Sequence, residues 1–445
     1  SNHNGKACKQ DMFWEETLET LPRNQLRALQ SERLKSTLAR AAAAPYYRRM
    51  YRASGIALDR ISGLEDLSRL PFTTKQDLRA GYPFEFLAVE KEAVVRLHSS
   101  SGTTGQATVV CHNAHDLASW ANLMARCMFM TGARPADVFQ NMTGYGMFTG
   151  GLGFHYGAER LGVLTVPAGA GNSRRQIKFM QDFGTTIVHV IPSYALHLLS
   201  VFEEAGVEPQ RDLRLKIAYL GAEPYSEHTR KRVEDGLGVK VFNSYGLSEM
   251  SGPGVAFECP EQNGMHIWED AFVVELLNPT TLQPVPEGEE GELVLTTLDR
   301  QAMPLIRYRT RDLTSILPGP CPCGRTHRRI ARIKGRSDDM FIIKGVNVFP
   351  IQVETLLMSI PEVGRNYQII LENEGPMDAM TVQVEVQREF FHGDVKSLKA
   401  LQQRITAALK GELLFTPKVD LVEPDAIPKS EGKAVRVIDR RRLES

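Results

Sequence analysis

The sequence predicts an α/β fold. A large N-terminal part carries mixed and parallel sheets flanked by helices, and a small α+β domain closes the chain. Three observations carry this expectation. Between about 90 and 300, short apolar segments alternate with stretches of helical spacing, the pattern of strands joined by crossover helices. After about 270 the pattern changes to strands and turns. Beyond a boundary at 335–339, about 105 residues show a pattern of their own, enough for a separate small domain. At 445 residues the chain is too long for one compact core. The expected division is therefore 1–335 and 336–445.

Taken in order, residues 11–50 have amphipathic helical spacing that ends in Ala-rich sequence and Pro45. Val94, Val95 and Leu97 lead into a hydroxyl-rich loop, and Thr108-Val109-Val110 follows it, reading as strand, tight loop, strand. Candidate strands are 137–142, 163–166, 187–191, 216–220 and 239–243. Helical spacing fills 114–131, 173–183, 194–206 and 226–236. Gly288-Glu289-Glu290-Gly291 precedes a clean strand at 292–297. The last part reads as strand, helix 350–360, strands near 366–372 and 379–386, helix 394–411 and terminal strands.

Composition removes several function classes. Lysine and arginine together number 53, as do aspartate and glutamate, so no net charge marks a partner such as nucleic acid or an anionic membrane. No apolar run approaches the ~18 residues of a spanning helix. Residues 1–10 are polar and lack an apolar signal core. The six cysteines form no dense disulfide framework, so a cytoplasmic, reducing home is expected.

In sheets of this kind ligands sit beyond the strand ends. The loop Ser99-Ser100-Ser101-Gly102-Thr103-Thr104-Gly105 is all small, hydroxylated or glycine, and its amides and hydroxyls suit phosphates. It is no Walker loop, for it lacks Gly-Lys-Ser/Thr. A plain solvated turn is the alternative. Further along, Gly221-Ala222-Glu223-Pro224 ends one strand, and Ser244-Tyr245-Gly246-Leu247-Ser248-Glu249 follows Asn243. Tyr245 could stack on a purine, and Glu249 could hold Mg²⁺, which prefers carboxylate oxygen. Core packing and a surface helix are the bland readings. In Arg307-Tyr308-Arg309-Thr310-Arg311-Asp312 the aspartate suits ribose hydroxyls and the arginines suit phosphate, against a salt-bridged surface strand. Gly335-Arg336-Ser337-Asp338-Asp339 fits a hinge or a polar linker, and Gly432-Lys433 offers an ammonium to an anion or to water.

In order and spacing, these stations resemble the motif series of the adenylate-forming acyl-CoA synthetases. Gly144-Tyr145-Gly146-Met147-Phe148-Thr149-Gly150-Gly151, His266-Ile267-Trp268-Glu269-Asp270 and Lys344-Gly345-Val346-Asn347-Val348-Phe349-Pro350 look like one branch, the phenylacetate–CoA ligases. The resemblance runs from Pro71-Phe72-Thr73-Thr74-Lys75 to Arg436. It implies that ATP and an aryl acid give an acyl-adenylate and pyrophosphate, and that coenzyme A then displaces AMP. It assigns nucleotide binding to 99–105, Gly221, Ala222, Glu223, Pro224, Asn243, Ser244, Tyr245, Gly246, Ser248, Asp312 and Arg336. It gives Mg²⁺ to Glu249, catalysis to Lys433 and Glu249, and the hinge to Asp338, and it implies that the small C-terminal α+β domain is mobile. It also suggests a homodimer.

The implied acid pocket holds Thr143, Tyr145, Phe148, Gly221 and Ala222, and its aromatic and small residues suit a flat aryl group. Thr143 stands where a tyrosine is expected, which puts phenylacetate itself in question. Cys321-Pro322-Cys323-Gly324, with Cys259 and His266, supplies three thiols and one imidazole for a structural Zn²⁺, His327 being a competing fourth ligand. Rival readings are adenylation followed by transfer to a carrier-protein thiol or an amine, a catalytically retired ligand sensor, and a zinc-dependent nucleic-acid module. Balanced charge and the single cysteine cluster oppose the last.

Overall fold

A computed structural model describes residues 11–99, 107–147, 149–429 and 434–441. The chain forms two compact units, which do not follow chain order. The first is Ser1–Gly169, Thr185–His189 and Phe242–Arg332; the second is Ala170–Gly184, Val190–Val241 and Ile333–Ser445.

The first unit opens on helices Arg23–Ala41 and Pro45–Ser54. Leu26, Leu34 and Leu38 face inward. Pro45 starts the second helix instead of ending the first, because its fixed φ and missing N–H suit a helix's first turn. Strands Arg96–Ser99 and Val109–His112 pair antiparallel, with Ser99 opposite Val109. Strand Val138–Asn141 pairs parallel with Leu164–Val166 and with Ile187–Val190. A separate antiparallel sheet is built from Phe272–Leu277, Glu290–Thr297 and Tyr308–Ser315.

Two features of this unit differ from expectation. Residues Thr149–Leu161 form a helix that the sequence hides behind its glycines. Those glycines serve close packing. A Cβ at Gly153 would lie 2.6 Å from Pro253, and one at Gly157 would lie 2.4 Å from the Cβ of Met124 on helix Ala114–Met130. The strand expected at 239–243 runs on as Lys240–Leu247, so Ser244, Tyr245 and Gly246 lie on a strand and not in a loop beyond it. Pairing with Gly252–Glu258 extends it, with a bulge between Tyr245 and Gly246.

The second unit contains strand Ile217–Leu220 and helices Ser173–Phe183, Pro192–Ala205 and Glu227–Leu237. It also holds the C-terminal α+β layer. Strands Val363–Glu374 and Met377–Val386 are antiparallel, with Val437–Asp439 parallel to the first and Lys418–Val422 parallel to the second. Helices Pro350–Met358 and Val395–Leu413 complete it. Val353, Leu357, Ile369, Leu371, Val382, Ile405 and Leu409 are fully buried there. Among the described residues no helix is long and apolar enough to cross a membrane.

Candidate active site and metal centre

The hydroxyl-rich loop lies in sequence between the paired strands Arg96–Ser99 and Val109–His112. Of that loop Ser99 is described; Ser100, Ser101, Gly102, Thr103, Thr104 and Gly105 lie outside the described residues, as do Phe148 and Lys433. Just before Ser99, His98 is buried and its Nδ1 lies 3.1 Å from the carbonyl of Met147. The stretch around Met147 is thereby tied to the start of the loop.

Tyr245 and Asp312, 67 residues apart in sequence, meet side by side: the phenol donates a hydrogen bond to the carboxylate. Both are buried. The Asp312 N–H donates to Thr310 Oγ1 at 3.1 Å, which fixes the carboxylate's stem. Glu249 sits in the single turn Ser248–Met250 that leaves the Tyr245 strand. Its carbonyl accepts from Arg300, a buried guanidinium that the sequence did not single out. Burial pulls Arg300 down to about 10. The Ser248 hydroxyl lies 3.3 Å from that of Thr149.

The arginines flanking Tyr308 are committed elsewhere. Arg307 forks onto Glu275 at 3.0 and 2.8 Å, and Arg309 onto Glu292 at 2.9 Å through both nitrogens. The salt-bridged-strand reading holds for these two, although the strand is largely buried. At the 335–339 boundary Arg336 forks onto Asp338 at 2.9 Å.

Among the residues expected to receive the acid, Tyr145 accepts from Asn141 Nδ2 at 3.0 Å and meets His155 Nδ1 at 3.1 Å. Burial pushes its phenol up to about 12. A Cβ at Gly144 or at Gly146 would find nothing within 4 Å, so space lies open beside both. Thr143 is buried, and its hydroxyl donates to Asn141 Oδ1 at 3.1 Å. In the second unit, Ala222 takes a left-handed φ of 71° and Glu223 receives two backbone N–H groups, from Ser193 and Ala434.

The cysteine cluster assembles as its donor set requires. Among the described residues, Cys259, His266, Cys321 and Cys323 are all buried, and their four ligand atoms lie within 4.8 Å of one another. Cys259 Sγ is 3.7 Å from Cys321 Sγ, and Cys323 Sγ is 3.3 Å from His266 Nε2. His266 Nδ1 donates to the His327 carbonyl at 2.9 Å, leaving Nε2 free to ligate. His327 is excluded as the fourth ligand, because its Nδ1 accepts the Glu269 N–H at 2.9 Å and its Nε2 donates to the Leu18 carbonyl at 2.8 Å. The neighbouring acids hold the surroundings together. Asp270 receives both Arg126 nitrogens at 2.9 Å, while Glu269 takes Arg23 and Arg328. Burial alone would raise Asp270, but Arg126 holds it well below the usual carboxylate range.

Comparison with known proteins agrees with this geometry. The family model described as AMP-binding enzyme matches residues 54–298, and that described as AMP-binding enzyme C-terminal domain matches 345–441. The phenylacetate–coenzyme A ligase of Thermus thermophilus is 48% identical over 97% of this chain and 100% of its own length. The chain belongs to the phenylacetate–CoA ligase family of AMP-binding enzymes. It is an AMP-forming acid–thiol ligase, joining an acid to CoA at the expense of ATP by way of an acyl-adenylate. Another member of the family, the phenylacetate–coenzyme A ligase of Aromatoleum evansii, is 45% identical over 96% of this chain and 98% of its own. A 2-hydroxyisobutyryl-CoA ligase, solved in the postadenylation state with R3-HIB-AMP, is 30% identical with a TM-score of 0.91, covering 98% of this chain and 94% of its own.

Proposed function

We propose that this ligase activates an arylacetic acid of the phenylacetate type. The observation that supports this most directly is the Tyr245–Asp312 pair beside the Glu249 turn, in a chain 48% identical to a phenylacetate–coenzyme A ligase over its whole length. A carboxylate oxygen of the acid attacks the α-phosphorus of ATP, and pyrophosphate leaves with the P–O electron pair. The CoA sulfur then attacks the acyl carbon, its proton is lost, and AMP leaves. Residues 99–105 would hold the β- and γ-phosphates. Tyr245 would pack on adenine, and Asp312 would exchange the tyrosine hydroxyl for the ribose hydroxyls. Gly221, Ala222, Glu223, Pro224, Asn243, Ser244, Gly246, Ser248 and Arg336 complete the proposed nucleotide set.

The buried carboxylate of Glu249 suits Mg²⁺, which would screen phosphate charge. Lys433 would neutralise the charge growing between carboxylate and α-phosphate, a contribution worth about 10²–10³ in rate. Tyr145, Phe148, Gly221 and Ala222 would line the acid pocket, with Thr143 acting behind Tyr145 through Asn141. The Cys259–His266–Cys321–Cys323 set fits a closed, structural Zn²⁺. We assign the domain division to 1–335 and 336–445, the hinge to Asp338, the active form to a homodimer and the location to the cytoplasm.

Pyrophosphate release over a panel of acids, with and without CoA, tests the reading. Phenylacetate, hydroxyphenylacetates, indoleacetate, benzoate and a medium-chain fatty acid form the panel. Release with an arylacetate, and acyl-CoA only when CoA is present, is the expected result. Lys433→Ala should stop adenylate formation and spare thioester formation from supplied acyl-adenylate. Equal loss in both halves would contradict the role given to the lysine.

A further inference from the structure

Arg300 is a strut within the first unit. Its base is the loop 299–303, which is pinned to the corner where strand Val109–His112 gives way to helix Ala114–Met130. The Asp116 carboxylate accepts the Gln301 N–H at 2.7 Å and the Ala302 N–H at 3.0 Å. The Cys111 N–H meets the Met303 sulfur at 3.1 Å, and Asn113 Nδ2 donates to Gln301 Oε1 at 3.0 Å. The backbone from which the arginine reaches is therefore fixed.

Its far end is the guanidinium. This group donates to the Glu249 carbonyl, to the Met303 carbonyl at 3.3 Å and to Ser251 Oγ at 2.8 Å. Ser251 follows the turn Ser248–Met250 directly and takes a left-handed φ of 78°. A residue with a side chain keeps such a conformation only where its surroundings over-determine it. Here one planar fork holds the turn on both sides of Met250, a grip that a lysine ammonium cannot copy. Arg300 is buried, and its partners among the described residues are neutral oxygens. Taking a guanidinium out of water without a carboxylate partner is costly, and an apolar side chain of similar volume would serve packing as well or better. Packing alone therefore does not account for an arginine at this position.

We infer that Arg300 is a positioning residue for Mg²⁺ at Glu249, acting through the main chain of the turn and not through the carboxylate. The inference rests on the reading of Glu249 as the Mg²⁺ carboxylate given above. Mg²⁺ tolerates little departure from octahedral geometry. A carboxylate carried on a single helical turn meets that demand only if the turn itself is held.

The test uses the full-length enzyme and reads the metal's contribution apart from turnover. ATP binding is measured by calorimetry in Mg²⁺ and again in EDTA, and adenylate formation is followed by ATP–pyrophosphate exchange with the best acid of the panel. Arg300→Lys should raise the Mg²⁺ concentration for half-maximal exchange by about 10- to 100-fold, the range for loss of a group that orients a metal ligand. It should remove most of the tightening that Mg²⁺ gives to ATP binding and leave ATP affinity in EDTA and the KM for the acid within about twofold. Combined with Glu249→Gln it should add no further loss, whereas combined with Asp312→Asn its effect should multiply in full. Equal weakening of ATP binding in Mg²⁺ and in EDTA would make Arg300 a general support of the fold and overturn the inference. A penalty that multiplies with Glu249→Gln would overturn it too. If Arg300→Lys does not fold, Ser251→Ala decides: it keeps the guanidinium, removes one acceptor and should raise the Mg²⁺ requirement by about 2- to 5-fold, and an unchanged requirement would overturn the inference. Glu249→Gln alone separates the underlying reading from the inference. If that variant keeps the Mg²⁺-dependent tightening, both fall. If it loses the tightening and Arg300→Lys keeps it, only the inference falls.

Discussion

The Cys259–His266–Cys321–Cys323 corner and the strip from Tyr245 through Glu249 to Asp312 share one compact unit and are built to opposite specifications. In the corner every donor is buried, and the chain has spent its second hydrogen bonds on orientation. His266 is aimed by the His327 carbonyl, and His327 is consumed by two main-chain groups. In the strip the backbone takes left-handed turns. Ser251, Arg307 and Arg311 all take positive φ, at 78°, 47° and 65°, a conformation that side-chain-bearing residues seldom adopt. Asp312 there is met by a tyrosine hydroxyl, a partner that the hydroxyl of a ligand can replace. A site meant to stay closed satisfies its groups permanently, and a site meant to turn over gives them exchangeable partners.

Breaking the corner should have the largest effect, and it should fall on stability. Cys321→Ser is expected to abolish zinc binding and cost about 4 kcal/mol or more of unfolding free energy. The fraction still folded should form adenylate at a normal rate. Elemental analysis with denaturant unfolding checks this, and unchanged zinc content would remove the metal from the corner. Breaking the strip should do the reverse. Glu249→Gln is expected to lower pyrophosphate release about 10²–10³-fold while leaving the melting temperature nearly unmoved. A variant that melted early and kept its rate would place Glu249 on the structural side. Asp312→Asn should act more mildly, raising the KM for ATP by about 10- to 100-fold, the range for loss of charge-assisted hydrogen bonds.

The corner was more legible in the sequence than the strip. Cys-x-Cys and Cys-x₆-His name their own chemistry, and only the fourth ligand stayed open; it took the bonds made by both nitrogens of His327 to choose His266. In the strip, residue types were legible and their setting was not. Ser244 to Gly246 read as the stretch beyond the strand expected at 239–243. In the fold that glycine admits close approach of a neighbouring strand, since a Cβ there would lie 2.0 Å from the Gly252 carbonyl. Arg307 and Arg309 read as phosphate ligands because nothing local shows that Glu275 and Glu292, on neighbouring strands, will claim them. Arg300 carries no motif at all, and its value lies in reaching the Glu249 carbonyl. The helix Thr149–Leu161 was hidden for the same kind of reason: its glycines weaken helix propensity and answer only to partners far along the chain.

The smallest effect should come from acid, and it falls on stability. His112, on strand Val109–His112, is fully buried against Trp120, with ring centroids 5.6 Å apart. Among the described residues neither of its ring nitrogens has a hydrogen-bond partner. Burial, helped by Arg300, His98 and Arg96, pushes it down to about 2. An unfolded histidine titrates near pH 6.5, so below that pH the unfolded chain takes up a proton that the folded chain refuses. Stability is therefore fully present above about pH 6.5 and falls as pH falls, by up to about 1.4 kcal/mol per pH unit. His112→Phe keeps the stacked ring and sacrifices no hydrogen bond. It should leave stability at pH 7.5 within about 0.5 kcal/mol and recover up to about 2 kcal/mol of what is lost between pH 6.5 and pH 5. Denaturant midpoints at the two pH values, measured on both proteins, give the difference directly. The cysteine corner is common to both proteins, so its own acid response cancels, and an unchanged slope would mean that His112 gains a proton inside the fold.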